Sequence, residues 1–460
     1  MSRIPKAIVL MSMACALGGM GASAAPRLGE QVEFKQDANG LVTVEYTLLD
    51  EQGIVTVDFL TNGVSIGAVN FNNVFGDVNK LIEPSDTATR KIYWRPSRSW
   101  PDGGKISSGF TAKVSVWPKE TPPDYLVIDL LGAKPPSYYV SEASLPGNGQ
   151  EQNTQGVHNA IYKTHKLVMR RVPAEGVTFT MGSPAEGDES YGRDALSETP
   201  HKVTFTKDFY LAVFTMTQGQ WHYLGAGTAF PQETSGPVLP RGNAYPATGF
   251  AYVNMRGNSW PKDAATHDMN GATDTILAKM RARYGIGFDL PTDAQWEYAC
   301  RAGAATTLYN DANIPHDYWW YDEPGTDNLY GPLDEIAWFN MNSQIDGVST
   351  IHEVGLKKAN NWGFYDMLGN VWEMTLDWAE RMSYDPRGKM SADDVTDPVG
   401  LEESAGDGRV VRGGDCSNSI TQQRTSKRWR WPDYVRGDHG GCGSTNHGAV
   451  RLMCPITLAW

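Results

Sequence analysis

Beyond its first two dozen residues the chain has no apolar run long enough to cross a bilayer as a helix. It is also short of positive charge: 40 Lys and Arg against 53 Asp and Glu give a net −13 at pH 7. That sign argues against nucleic acid and anionic membrane as partners, because both repel a negative surface. Lysine is modest, while Trp (15) and Gly (48) are plentiful, a balance that fits aromatic-rich, loop-heavy structure more than helical bundles. At 460 residues the chain exceeds one ordinary core and calls for two or three domains.

Residues 1–24 read as a secretory signal peptide. Arg3 and Lys6 form a basic start, Ala7 to Leu17 is apolar but short, and Ala22-Ser23-Ala24 gives a small-x-small cleavage site. The mature chain is then expected to be exported, to a periplasm, the medium or a cell surface. Removing Arg3 and Lys6 takes the charge from −13 to −15. Cys15 raises a lipoprotein alternative, weakened by Ser12, which stands where a Leu is expected. Cleavage leaves Cys300, Cys416, Cys442 and Cys454. An even count in an exported protein favours disulfides, with three pairings open.

Residues 26–132 alternate in short runs: LVTVEYTLL, IVTVDFL, RKIYWRP, FTAKVSVW and YLVIDLL, separated by Gly, Asp, Asn and Pro. That pattern predicts an all-β sandwich domain. Gly63-Val64-Ser65-Ile66-Gly67 matches a serine-hydrolase elbow on paper. The elbow needs a strand turning into a helix, and the surroundings here are strand-like, so Ser65 reads as a hairpin residue. Pro135-Pro136 and the polar PGNGQEQNTQG tract mark residues 133–160 as a linker. A further domain, 161–460, follows. In it Thr215 or Thr217 can cap a helix running to Leu224, Thr273 to Tyr284 reads as a second, and Thr292 with Gln295 forms a capping box for a third carrying Trp296, Tyr298 and Cys300.

The densest stretch is Asn361 to Trp378, NWGFYDMLGNVWEMTLDW. Its tryptophans belong in a core or a pocket wall. Gly369-Asn370 is a turn, since both residues tolerate positive φ, and Asp366 and Glu373 flank it. A turn aims carbonyls at one point and the acids add charge there, an array of hard oxygens that suits Ca²⁺. The bland reading is a buried aromatic turn whose acids cap backbone amides.

That stretch resembles the signature of the sulfatase-modifying-factor family, whose founding member is the formylglycine-generating enzyme. FTMGSP from Phe179, ETPHKVTF from Glu198, FYLAVFTMTQGQW from Phe209, LPTDAQWEYACRAG from Leu290, RVVRGG from Arg409 and AVRLMC from Ala449 extend the resemblance in family order over about residues 160–456. The resemblance implies that the region after the N-terminal all-β sandwich is an α+β, loop-rich domain related to C-type lectins, which makes the protein multidomain. It places a structural calcium ion on Asp366, Gly369, Val371 and Glu373, with a second set at Asn340, Asp346 and Val348, where the spacing differs from the family's. It also implies a Cys300–Cys454 disulfide, leaving Cys416 and Cys442 as a second bridge or as thiols.

The enzymes of the family oxidise a client sulfatase cysteine with oxygen and copper. Cu(I) prefers two thiolates, which the family sets a few residues apart after its Arg-x-x-x-Gly-Gly-Ser phrase. Here Asp415 replaces the serine, Cys416 stands alone, and Ser417, Asn418, Ser419, Gln422 and Gln423 are not soft ligands. Cys442 is the next cysteine, so a catalytic pair would be Cys416 with Cys442. The departure argues against copper. His439, Cys442 and His447 beside Asp438 have transition-metal spacing, but in a Gly-rich segment without helix or strand. The His-x3-His-x-Glu triad of the related iron-dependent sulfoxide synthases is absent.

Residues 415–447 mix Asn, Ser, Thr, Arg, Gly, Asp, His and Trp with almost no aliphatics, as binding loops do. The bland account is a solvated loop. The sharper one is a ligand-binding face of Asp415, Asn418, Gln422, Arg424, Trp429, Trp431, Tyr434, His439 and Asn446, similar to family members whose loops are diversified for display. The expected function is an exported binding protein for a protein or glycan ligand. The alternative is a formylglycine-generating oxidase acting on a sulfatase-like client.

Overall fold

The computed structural model describes residues 25–67, 73–96, 106, 109–147, 156–224, 242–250, 252–256, 275–317, 329–380, 393–400, 406–431 and 448–456. Two compact units account for them: residues up to 129 with 134–162, and residues 130–133 with 163 onward.

Among its described residues the first unit holds two four-stranded antiparallel sheets. One orders β1 (Glu33–Gln36), β2 (Val42–Tyr46), β7 (Arg90–Trp94) and β5 (Val74–Gly76). The other pairs β3 (Gly53–Thr61) with β8 (Phe110–Trp117), and with β4 (Val64–Ser65) and β6 (Lys80–Ile82). The period-2 pattern explains the packing: Val42, Val44 and Tyr46 are buried while Thr43 and Glu45 are less so. Their buried side joins Val57, Phe59, Ile92, Trp94, Phe110 and Val114 in one apolar cluster. Within it the Phe59 and Trp94 rings stack at 4.6 Å. Ser65 lies in a hairpin, its hydroxyl 2.7 Å from Asp58 Oδ1. The stretch expected as a linker contains β10 (Ser137–Tyr139), which pairs with β9 (Tyr125–Asp129). Burial of the Tyr138 ring gives this polar-flanked run its place in a sheet.

The second unit is built on two sheets and one buried helix. The first sheet joins β11 (Lys166–Val172), β14 (Phe209–Ala212) and β19 (Met453–Pro455). A hairpin of β12 (Thr178–Met181) and β13 (His201–Thr204) lies between the first two in sequence. The second sheet orders β17 (Arg428–Trp431), β16 (Gly406–Arg412), β15 (Trp372–Glu380) and β18 (Gly448–Val450). Its last pair is parallel.

Helix α1 spans Gln218–Leu224 and is preceded by Thr217, whose hydroxyl accepts the Gln220 N–H while Gln220 Oε1 accepts the Thr217 N–H. Helix α2 spans Ile276–Tyr284 with Thr275 as its N-cap, two residues inside the expected start. Helix α3, Asp293–Arg301, has the capping box of Thr292 and Gln295, and eight of its nine residues are buried. Trp296, Tyr298, Ala299 and Cys300 pack with Phe205, Phe209, Leu308, Phe364, Met367 and Leu368. A helix buried on all sides must pair its charges. Asp293 and Glu297 both meet Arg412, and Glu297 also meets Arg301. No helix among the described residues is long and apolar enough to cross a membrane.

Candidate functional site

The aromatic turn is strained into shape at three successive points. Asp366, Gly369 and Asn370 have φ of 54°, 75° and 65°. Asp is one of the few side chains that enters the left-handed region, and Gly does so without steric cost. Gly369 is also pressed against the Trp338 backbone: a Cβ there would lie 2.3 Å from the Trp338 carbonyl oxygen. The Asn370 side chain clamps His352, accepting its N–H at 2.9 Å and donating to its carbonyl at 3.1 Å. The Asn370 carbonyl accepts the Cys416 N–H at 3.1 Å. Ser343 completes the ring, its hydroxyl donating to the Cys416 carbonyl and its own carbonyl 3.0 Å from His352 Nε2. The His352 imidazole stacks on Trp338 at 3.8 Å, and Lys357 Nζ lies 4.1 Å from the same indole. Burial, and Lys357 beside it, pull the His352 pKa down. Cys416 is thus held by backbone hydrogen bonds, buried against Ile351, Val371 and Ala449.

The two acids flanking the turn have different fates. Asp366 Oδ2 accepts the Gly355 N–H at 2.7 Å, while Oδ1 is buried with no hydrogen-bond partner among the described residues. Burial pushes its carboxyl up to about 6, against the pull of the Gly355 N–H, Arg451 and Lys163. Glu373 is surrounded by donors: Trp296 Nε1 at 2.7 Å, Arg451 Nη2 at 2.7 Å and Nε at 2.9 Å, and the Thr215 hydroxyl. Gly369 gives its carbonyl to the Val371 N–H at 2.8 Å. Glu373 therefore does not fit the role of a calcium ligand, and of the expected set only Asp366 offers a side-chain oxygen without a partner.

The tract after β16 departs from expectation. Its described part, 415–431, is largely interior rather than a solvated face. Asp415, Cys416, Ile420 and every residue from Gln423 to Arg428 are buried. Asp415 turns back on its own loop, Oδ1 accepting the Ser417 N–H and hydroxyl. Arg424, fully buried, grips Glu198 with two nitrogens. Neither is available as a ligand-facing residue, because each side chain is committed inside the fold. Gln423 donates to the Asp415 carbonyl and packs its amide where a Cβ on Gly414 would stand, so it too is internal. Asn418, Gln422 and Trp429 are half-buried and reach the surface. The Trp431 side chain, Tyr434, His439, Cys442, Asn446 and His447 lie outside the described residues.

The expected Cys300–Cys454 bridge is not formed. Both are free, buried thiols. Their surroundings differ: Cys300 feels Arg301, Arg412, Glu297 and Glu373, whereas Cys454 feels Arg281 and donates to the Pro455 carbonyl. Sequence reasoning missed the buried arginines 409, 412, 424 and 451. The available signal was the pairing of acids with apolar phrases: Glu297 and Glu373 each sit inside a run that otherwise reads as core.

A sulfatase-modifying factor enzyme 1-like domain model matches residues 162–442. The chain belongs to that family. It is 30% identical over 183 residues to the chaperone protein LppX of Paenibacillus barcinonensis, covering 37% of this chain and 62% of LppX. It is 29% identical over 203 residues to the formylglycine-generating enzyme of Streptomyces coelicolor, covering 41% and 59%. The enzyme of Mus musculus is 29% identical over 279 residues, covering 55% and 71%. The chain thus spans about three fifths of the length of the first two of these relatives. Among solved structures, Treponema denticola variable protein 1 aligns over 63% of this chain and 95% of its own, at 20% identity and TM-score 0.42. PvdO from Pseudomonas aeruginosa aligns over 63% and 94%, at 21% identity and TM-score 0.43.

Proposed function

We propose that this chain is an exported binding protein in which the family domain, carried behind an N-terminal β-sandwich, serves as a scaffold for recognition rather than as a copper oxidase. One observation carries the reading. The positions after Cys416 hold carboxamides built into the loop: Asn418 Oδ1 accepts the Asp415 N–H at 3.0 Å, and Gln423 donates to the Asp415 carbonyl at 3.0 Å. Amide oxygens and nitrogens are poor ligands for a soft monovalent ion. The relative named a chaperone supports a protein as the bound partner. Recognition falls to Asn418, Gln422 and Trp429, which combine an aromatic contact surface with adaptable hydrogen bonding.

The names of the formylglycine-generating relatives favour a second reading, oxidation of a client cysteine with Cys416 and Cys442 as thiolates. One experiment separates the two. Purified protein is titrated with Cu(I) under a competing chelator and then incubated with a cysteine peptide, followed by mass spectrometry. The binding reading expects no stoichiometric copper and an unchanged peptide. Equimolar Cu(I) that is lost in Cys416→Ser, with conversion of the peptide cysteine to an aldehyde, establishes the oxidase instead.

A further inference from the structure

The cation that belongs to the aromatic turn is already part of the chain. A carboxylate offers about four lone-pair positions, and the donors on Glu373 fill them. Oε2 accepts Trp296 Nε1 and Arg451 Nε; Oε1 accepts Arg451 Nη2 and the Thr215 hydroxyl. Arg451 is fully buried. Its remaining N–H groups reach three backbone carbonyls: Ala212 at 2.9 Å, Val213 at 2.8 Å and Tyr365 at 2.7 Å. A carboxylate plus converging carbonyls is the set a hard cation collects. Here it closes around a guanidinium.

We infer that the Arg451 guanidinium is the resident cation of this turn and takes the place of a calcium ion at Asp366, Gly369, Val371 and Glu373. Position delivers it. Strand β18 runs parallel to β15 with Met374 opposite Val450, so Arg451 follows directly on the last paired residue, two positions past Ala449, the partner of Glu373. Chemistry suits it as well. Arginine stays charged at every pH the fold meets and forks across a carboxylate, so the site neither fills nor empties with the ion supply. With Glu373 saturated, Asp366 Oδ1 and two carbonyls remain, one of them already accepting the Val371 N–H. That is well short of the six to eight oxygens, roughly, that Ca²⁺ gathers.

The test is thermal melting of the full chain with Ca²⁺ and with excess EDTA, alongside Tb³⁺ luminescence sensitised by the tryptophans. The expected result is one melting temperature in both buffers and no Tb³⁺ emission that Ca²⁺ displaces. A calcium response that survives in Asp366→Ala also supports the assignment, since that ion then sits elsewhere. A calcium response in the natural protein that disappears in Asp366→Ala overturns it. Arg451→Met adds a second arm: it is expected to melt lower and to gain a calcium response, because the carboxylates are then left without their counter-charge. If that variant does not fold, the comparison of the natural protein with Asp366→Ala still decides.

Discussion

Arg424 and Glu198, 226 residues apart in the chain, meet as a fully buried ion pair, with Nη2 2.6 Å from Oε1 and Nη1 on Oε2. Ser183 and Ser426 add hydroxyls to the same carboxylate. The pair ties the loop before β13 to the tract before β17. It is one of the ties that hold residues 423–428 inside, beside Gln423 on the Asp415 carbonyl and Arg428 on Asp293.

Removing one partner strands the other charge in the interior. Arg424→Met is expected to lower unfolding free energy by about 3–5 kcal/mol. Adding Glu198→Gln should restore part of that loss, because the stranded charge is gone. The pH dependence has a definite sign. Burial raises the Glu198 carboxyl, but Arg424, with Lys427 and Ser426, outweighs it and holds it at about 2. A carboxyl held below its unfolded value, about 4.3, stabilises fully above that value. The contribution is lost as pH falls from about 4 to about 2. Urea unfolding of the natural protein and of Glu198→Gln across pH 2–6, roughly, should show a steeper acid limb in the natural protein, over the limb that the other paired carboxylates give both.

Asp377 has the opposite sign. It is buried, and its Oδ2 accepts the Asp293 N–H at 2.6 Å at the start of α3. Burial, and the Asp293 carboxylate beside it, push its carboxyl up. The folded chain then holds a proton that the unfolded chain releases, so this group lowers stability as pH rises above the ordinary carboxylate range. Asp377→Asn keeps an oxygen for the Asp293 N–H and has no proton to lose. Its stability relative to the natural protein should grow by up to about 1.4 kcal/mol per pH unit above roughly pH 4. Chemical denaturation at several pH values measures the divergence; parallel curves would rule the linkage out.

Gly369 and Gly303 separate close approach from backbone strain. Both have positive φ, 75° and 94°. Around Gly303 nothing lies within 4 Å of an added Cβ, whereas at Gly369 that atom meets the Trp338 backbone. Gly303→Ala should cost about 1–2 kcal/mol, the left-handed penalty alone. Gly369→Ala should cost that plus about 1–3 kcal/mol of overpacking, because backbone cannot swing aside. Melting temperatures of the two variants give the comparison. Equal losses would show that the Trp338 contact yields.

Local rules carried well into this fold. The Thr292–Gln295 capping box and the alternating strands of residues 42–46 formed as their short-range chemistry dictates. Thr217, rather than Thr215, caps α1, because the Thr215 hydroxyl is drawn to Glu373 158 residues away. The same long reach hid the character of the 415–428 tract. Its composition reads as solvent-facing because the counter-charges of Arg424 and Arg428, Glu198 and Asp293, lie more than a hundred residues upstream. Whether a polar residue is inside depends on a partner, and sequence spacing does not supply partners at that range.

The cysteines provide a last distinction. Export and an even count favour disulfides, and the family resemblance implies Cys300 with Cys454, yet both are buried thiols with different neighbours. Burial pushes both well above the ordinary thiol range, so the reactive thiolate is scarce and shielded. Both should resist alkylation in the native protein and react fully once it is unfolded. Peptide mapping after labelling with iodoacetamide, with and without guanidinium, counts them site by site. Non-reducing digestion that returned a Cys300–Cys454 cross-linked peptide would show the bridge forming after all. The α3 terminus and β19 would then have to close on each other, and reductant would lower the unfolding free energy by the roughly 2–5 kcal/mol that a native disulfide contributes.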